Sequence, residues 1–267
     1  ACSAVWVHDF FSLCPNYTLL RNRISFCGAP RLGSNACEVC VFGAERAQHM
    51  ERIEKLFSEI DFEVVAPSQA AADFWQSATG RANDSCRVVP HLELVDAGSL
   101  APRAAADTAD PIRIAFLGYP GFHKGWLLFT RLAAELKKDY FGVDRPSHSN
   151  IRFVRVQTTQ SEPEAMVKAL RKHRIDVAFL WSIWFETYSF TAHEAIASGA
   201  MIVTNSASGN IGRVVDDLKA GWVFENEAAL FASFIGQEFA NLVSARRSTS
   251  VPVYSKRFSS MSRHVIQ

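Results

Sequence analysis

The chain has 267 residues, 48% of them apolar, and its 28 basic and 27 acidic side chains leave a net charge of +1. That balance excludes intrinsic disorder, which needs low hydrophobicity with high charge, and removes the case for a nucleic-acid partner, which needs a concentrated excess of Lys and Arg. The longest apolar runs, residues 112–119 and 177–181, fall far short of the roughly 20 residues of a membrane span, and residues 1–10 lack the basic segment of a secretory signal.

Residues 4–10 alternate as a strand, and residues 44–60 carry Ala47, Met50, Ile53, Leu56 and Phe57 at helical spacing. Residues 63–66 form a second strand closed by Pro67, and Ser68 is placed to cap a helix over 69–77. A third short strand is expected at 86–90. These few elements make an incomplete doubly wound sheet, and the first residue is Ala rather than Met, so further strands are expected upstream. Residues 96–110, rich in Ala, Pro, Gly and Asp without an apolar period, read as a linker between a partial first domain (1–95) and a second domain (111–247).

From Pro111 the chain alternates apolar runs with helix-period segments. Strands are expected at 112–119, 151–157, 177–181, 201–205 and 222–225. Helices are expected at 126–140, from Glu162 onward with Pro163 in the first turn, at 187–198 stopped by Gly199, at 211–219, and from an Asn226 cap to about Arg246. Such alternation means parallel strands joined by right-handed crossovers, with helices on both faces. The fold class is therefore α/β, with a doubly wound Rossmann-like second domain. Residues 248–267 are a polar, Ser-rich tail, either mobile or packed back on the first unit.

The most informative stretch places Glu186 and Glu194 eight residues apart at a strand-to-helix junction. Along a helix that spacing spans about 12 Å. The amides of Thr187, Tyr188 and Ser189 would be the free donors of the helix start. Hydroxyl acceptors at both ends and anion donors between them suit a nucleotide diphosphate sugar.

This segment resembles the E-x7-E motif of the retaining GT-B glycosyltransferases of group 1 (glycosyltransferase family 4-like), built from two facing Rossmann-like domains. The run from Phe116 through Gly118 to Lys124 and Gly125 resembles the family's first strand and turn of the donor domain. Residues 201–209 resemble the loop after the second Glu, Val5 to Asp9 the strand that ends in the active-site His, and Val64 to Ser68 a later Pro-Ser turn. The likeness covers about residues 4–240, and no single piece carries it alone.

The resemblance implies a GT-B fold and metal-independent transfer, with retention, from a UDP- or GDP-sugar to a saccharide or lipid-linked acceptor. It also implies polysaccharide biosynthesis as the setting and, in the full-length protein, peripheral membrane association. It assigns Lys124 and Gly118 to the donor diphosphate, Glu186 to hydroxyls of the transferred sugar, Glu194 to the ribose, and His8 to the opposite wall. Thr187, Tyr188 and Ser189 complete the donor-binding set, and His8 and Glu186 are the catalytic candidates. Tyr119 stands where many relatives carry a phosphate-binding Arg. No Asp-x-Asp cation motif is present. The alternative is a non-catalytic GT-B-like nucleotide-binding or interaction module, motivated by Tyr119 and the incomplete first domain; a GT-B-fold epimerase is less favoured by Glu186, Glu194 and His8.

Six Cys are too sparse for a disulfide scaffold, so a reducing, cytoplasmic location is expected. Four of them, Cys14, Cys27, Cys37 and Cys40, crowd a loop over 14–40 that lacks a core of its own, and relatives carry a similar cluster. Structural zinc on these four, reduced thiols and an incidental disulfide all fit; Cys37 and Cys40 supply only one of the usual two CxxC knuckles.

Overall fold

A computed structural model describes residues 3–81, 86–102, 110–133 and 151–260, and residues 138–142 by their backbone. The first unit runs β1 (Ser3–Trp6), β2 (Leu20–Arg21), β3 (Ser25–Phe26), α1 (Asn35–Glu38), α2 (Gly43–Glu59), β4 (Phe62–Ala66), α3 (Gln69–Thr79) and β5 (Cys86–Val88). Strands β1, β4 and β5 pair in parallel in that order. The Ser68 hydroxyl accepts from the Ala71 amide at 3.1 Å, starting α3 where the sequence places its cap, and Gly80 closes that helix in the left-handed region. Trp75 is fully buried among Phe10, Leu13, Val64 and Phe57, and its indole donates to Ser12 Oγ at 2.8 Å.

The second unit runs β6 (Leu92–Leu100), β7 (Ile114–Leu117), α4 (Trp126–Leu132), β8 (Lys138–Gly142), β9 (Arg152–Arg155), α5 (Ala165–Lys172), β10 (Val177–Phe179), α6 (Phe190–Ser198), β11 (Met201–Asn205), α7 (Asn210–Leu218), β12 (Gly221–Phe224), α8 (Glu227–Ile235), α9 (Glu238–Arg247) and β13 (Val251–Phe258). Its six-stranded sheet, ordered β12-β11-β10-β7-β8-β9, is parallel throughout. Because side chains alternate across a strand, the central strands feed two cores. Ala115, Leu117, Ala178 and Ile202 pack with Leu170, Ile196 and Val215 on one face. Ile114, Phe116, Phe179 and Val203 pack with Phe129, Leu230 and Val243 on the other. The sheet is thus doubly wound.

Four expectations need correction. The helix expected at 126–140 ends at Leu132, and residues 138–142 form strand β8 instead. The helix expected from Thr187 begins at Phe190, with Ser189 as its cap (hydroxyl accepting from Ala192 N at 3.3 Å). The helix from the Asn226 cap is two helices, interrupted after Ile235 where Gly236 turns extended (ψ 161°). The supposed linker and tail pair with each other: β6 covers 92–100, and β13 lies antiparallel to it, with Val251 opposite Leu100 and Phe258 opposite Leu92. Linker residues 103–109 and tail residues 261–267 lie outside the described residues. The ribbon packs on α6, where Val251, Val253 and Leu100 approach Gly199. Its apolar residues were hidden by the exposed Pro252, Ser255 and Arg257.

Candidate functional site

Strand β10 ends at Phe179, and the chain continues over the carboxyl edge of the sheet through Ser182 and Trp184 to Glu186. Two glycines allow this loop to close. Gly125 has φ +80°, and a Cβ there would lie 2.4 Å from the Trp181 carbonyl oxygen. Gly209 has φ +64°, and a Cβ there would lie 2.6 Å from the Glu186 carbonyl oxygen. Backbone bonds lock the loop: Asn210 N to Glu186 O at 2.8 Å and Ile183 N to His123 O at 3.0 Å.

Glu186 is only 8% exposed. Its Oε1 accepts from Lys124 Nζ in a short ion pair, from Ser182 Oγ at 3.1 Å and from Trp184 Nε1 at 2.6 Å. No donor among the described residues reaches Oε2. The Lys124 ammonium also lies 5.0 Å from the centre of the Trp184 ring, a cation–π contact that fixes its head group. His123 packs on the same indole, and burial together with the Lys124 charge holds its imidazole below the usual range.

Two cavities meet at Glu186. One, of about 240 Å³, is lined by Gly118, Tyr119, Lys124, Glu186, Ser189 and Thr191, among others. The other, of about 280 Å³, is bounded by His8, Asp9, Tyr17, Trp184, Glu186 and Thr187. His8, of the first unit, and Glu186, of the second, thus line one cavity. The His8 ring lies against both Trp6 and His91, 5.2 Å from each centroid, and those two rings are themselves 6.3 Å apart. Burial lowers the His8 ionisation and pushes His91, beside His8 and His193, down to about 4. His91 was not singled out in the sequence.

Other expected residues take different positions. Thr187 joins the two units, its Oγ1 donating to His8 O at 2.5 Å and its carbonyl accepting from Ser68 Oγ at 2.7 Å, while Tyr188 Oη donates to Leu92 O, at the start of β6, at 2.8 Å. The Ser189 amide donates to Asn210 Oδ1 at 3.3 Å, so it is not an open anion donor. His193 packs locally, its Nδ1 2.7 Å from Ser189 O.

Glu194 lies apart from both cavities, 6% exposed on α6. Its Oε1 accepts from Thr158 Oγ1 at 3.1 Å and from Lys256 Nζ at 3.3 Å. Burial raises the Glu194 carboxyl while Lys256 opposes the rise. Lys256 is buried to 1% and reaches from β13, 62 residues along the chain. Neither it nor Thr158 was legible as a partner of Glu194.

The four cysteines of the first unit converge on one cavity of about 20 Å³. Arg46 organises them, donating to Leu13 O (2.9 Å), Pro30 O (2.6 Å) and Cys37 Sγ (2.8 Å). Burial raises the thiols of Cys14 and Cys27. All four are free, and among the described residues no group of three or more His, Cys, Asp or Glu is arranged to hold a metal ion. The residues as arranged do not form the expected zinc site.

No family model matches the sequence, and no curated protein matches it. Among solved structures, Anabaena HepE in complex with UDP and glucose is similar at 15% identity and a TM-score of 0.53, over 92% of this chain and 63% of that one. The same protein in complex with UDP-glucose aligns at 14% identity and 0.51, over 92% of this chain and 68% of that one. TarM aligns at 12% identity and 0.51, over 74% of this chain and 41% of its own length. Sucrose-phosphate synthase from Thermosynechococcus elongatus, of which the chain spans 60%, scores 0.49. No helix among the described residues is long and apolar enough to cross a membrane. The chain has the fold of the GT-B glycosyltransferases, with a doubly wound parallel sheet in its second unit.

Proposed function

We propose that the chain carries the donor-binding part of a nucleotide-sugar-dependent glycosyltransferase. The observation that carries this reading is the Lys124–Glu186 pair at the meeting point of two cavities, with His8 on the far wall. Lys124 and Gly118 receive the donor diphosphate, and Oε2 of Glu186 accepts from a hydroxyl of the sugar. Glu194 receives the ribose through its own Oε2, its other oxygen being held by Thr158 and Lys256. UDP is the first donor to test, since a structural neighbour was solved with it.

In the reaction the bond from the anomeric carbon to the diphosphate oxygen breaks, and an acceptor hydroxyl oxygen bonds to that carbon, its proton passing to the departing phosphate. Fixed positive charge at Lys124 stabilises the leaving group without reorganisation, in place of a divalent cation; retention is carried over from the resemblance to the family and from no residue of this site. The acceptor, a saccharide or lipid-linked saccharide, enters from the His8 side. A cytoplasmic setting goes with this reading.

A second reading, a nucleotide-binding module without transfer, is favoured by Glu194 lying outside both cavities. Calorimetry with UDP and GDP tests the first. UDP or GDP binding that weakens about tenfold or more in Glu194→Ala, the loss of one hydrogen bond to a charged group, supports it. Absence of binding to both nucleotides overturns both readings, and binding without turnover in the full-length protein leaves the second.

A further inference from the structure

At the opposite edge of the second sheet from Glu186, before the first residues of β10 and β11, lies a separate cavity of about 280 Å³. Its floor is apolar, with Leu170, Val243 and Val251, and its rim carries Arg171, Arg174, Arg246 and Arg247. Three of these cations have identified acceptors. Arg171 donates to Ala197 O at 2.7 Å, answering the carbonyl end of α6. Arg247 donates to both carboxylate oxygens of Asp176, at 3.0 and 2.6 Å, and to the carbonyls of Asp110 and Pro111. Arg174 lies 3.8 Å from the Asp110 carboxylate.

Arg246 is different. Its Nε is buried without a hydrogen-bond partner, and no hydrogen bond or ion pair among the described residues reaches its guanidinium. Burial lowers its ionisation, and only the Tyr254 phenol offsets this. A buried guanidinium N–H with no acceptor is costly to the fold, although the Arg246 side chain as a whole is only half-buried. The helix ends and both acids nearby are already answered by other arginines, so local charge balance does not account for it.

We propose that this cavity binds an amphipathic anion, one phosphate or carboxylate group on an apolar skeleton, with Arg246 receiving the charge. The apolar floor takes the skeleton, and the planar fork of Arg246 matches an oxyanion. The site is independent of the nucleotide cavity, being at the other end of the strands.

The test is calorimetry of the 267-residue chain with octyl phosphate, inorganic phosphate and vesicles containing phosphatidic acid. Octyl phosphate is expected to saturate one site, to bind more tightly than inorganic phosphate, and to lose about tenfold or more in affinity in Arg246→Met. UDP affinity is expected to be the same in both proteins. Arg246-dependent binding of vesicles as well as octyl phosphate assigns the anion to a lipid; binding of octyl phosphate alone assigns it to a soluble ligand. Melting of the ligand-free proteins is the second readout. Arg246→Met is expected to melt at or above wild type, because the removed cation had no acceptor. Octyl phosphate that fails to bind, or binds both proteins equally, overturns the proposal, as does a lower melting temperature in Arg246→Met.

Discussion

Glu186→Gln separates the two parts of the proposed donor site. The amide oxygen can keep the place of Oε1, accepting from Lys124, Ser182 and Trp184, while an NH2 group replaces Oε2, the oxygen assigned to the sugar. Melting should therefore change little. A hydrogen bond to a charged group contributes about 1.5–3 kcal/mol, and each 1.4 kcal/mol is about tenfold in affinity. Calorimetry should show UDP-glucose binding weakened by about 10- to 150-fold. UDP itself should bind equally or more tightly, because the ammonium of Lys124 no longer faces a carboxylate. A parallel fall for UDP and UDP-glucose, or no change in either, would refute the assignment of Glu186 to the sugar.

Gly125→Ala forces a side chain onto a left-handed residue and toward the Trp181 carbonyl oxygen, 2.4 Å away; urea denaturation should show a loss of about 2–4 kcal/mol. His91 is neutral in the fold down to about pH 4 but takes up a proton near pH 6.5 when unfolded. Stability is thus retained above pH 6.5 and lost as pH falls from there toward 4. Across that window His91→Phe, which keeps the ring stack, should remove up to about 3 kcal/mol of the decline; an unchanged pH profile would refute this. Arg46→Met leaves the Leu13 and Pro30 carbonyls and Cys37 without their shared donor, and should cost about 3 kcal/mol in denaturant titrations. Elemental analysis of protein purified without added metal should find zinc below one equivalent, and a stoichiometric amount would contradict the cysteine geometry.

The sequence was most legible where burial is two-sided. Strand β10 is wholly apolar and β11 opens on the apolar run Met201, Ile202 and Val203, so both read as central strands, and Ser68 and Asn226 announced their helices through side-chain caps. Glu186 and Lys124 follow the buried strands β10 and β7, whereas His8 follows β1, whose residues are exposed or half-buried, and was singled out through the resemblance alone. Strand β13 could not be read this way, because one face is solvent-exposed and its Pro252, Ser255 and Arg257 mask the inward Val253. Lys256 therefore went unnoticed, although it is the closest cation to Glu194. Thr187 and Tyr188 were misplaced for another reason. The Thr187 hydroxyl bonds His8 of the first unit and the Tyr188 hydroxyl bonds Leu92 at the start of β6, tertiary contacts that leave no local trace, and the helix starts three residues later at Phe190. The unpartnered Arg246 is likewise a property of packing, invisible in a pair of arginines at a helix end.

In the proposed reaction one loop beyond β10 grips an activated sugar beside Lys124. The most direct test is a crystal structure of the chain grown with UDP-glucose. The diphosphate is expected against Lys124 and Gly118, with a hexose hydroxyl within hydrogen-bond distance of Glu186 Oε2. A nucleotide bound elsewhere, or a Lys124–Glu186 pair left closed with that cavity empty at saturating ligand, would contradict it.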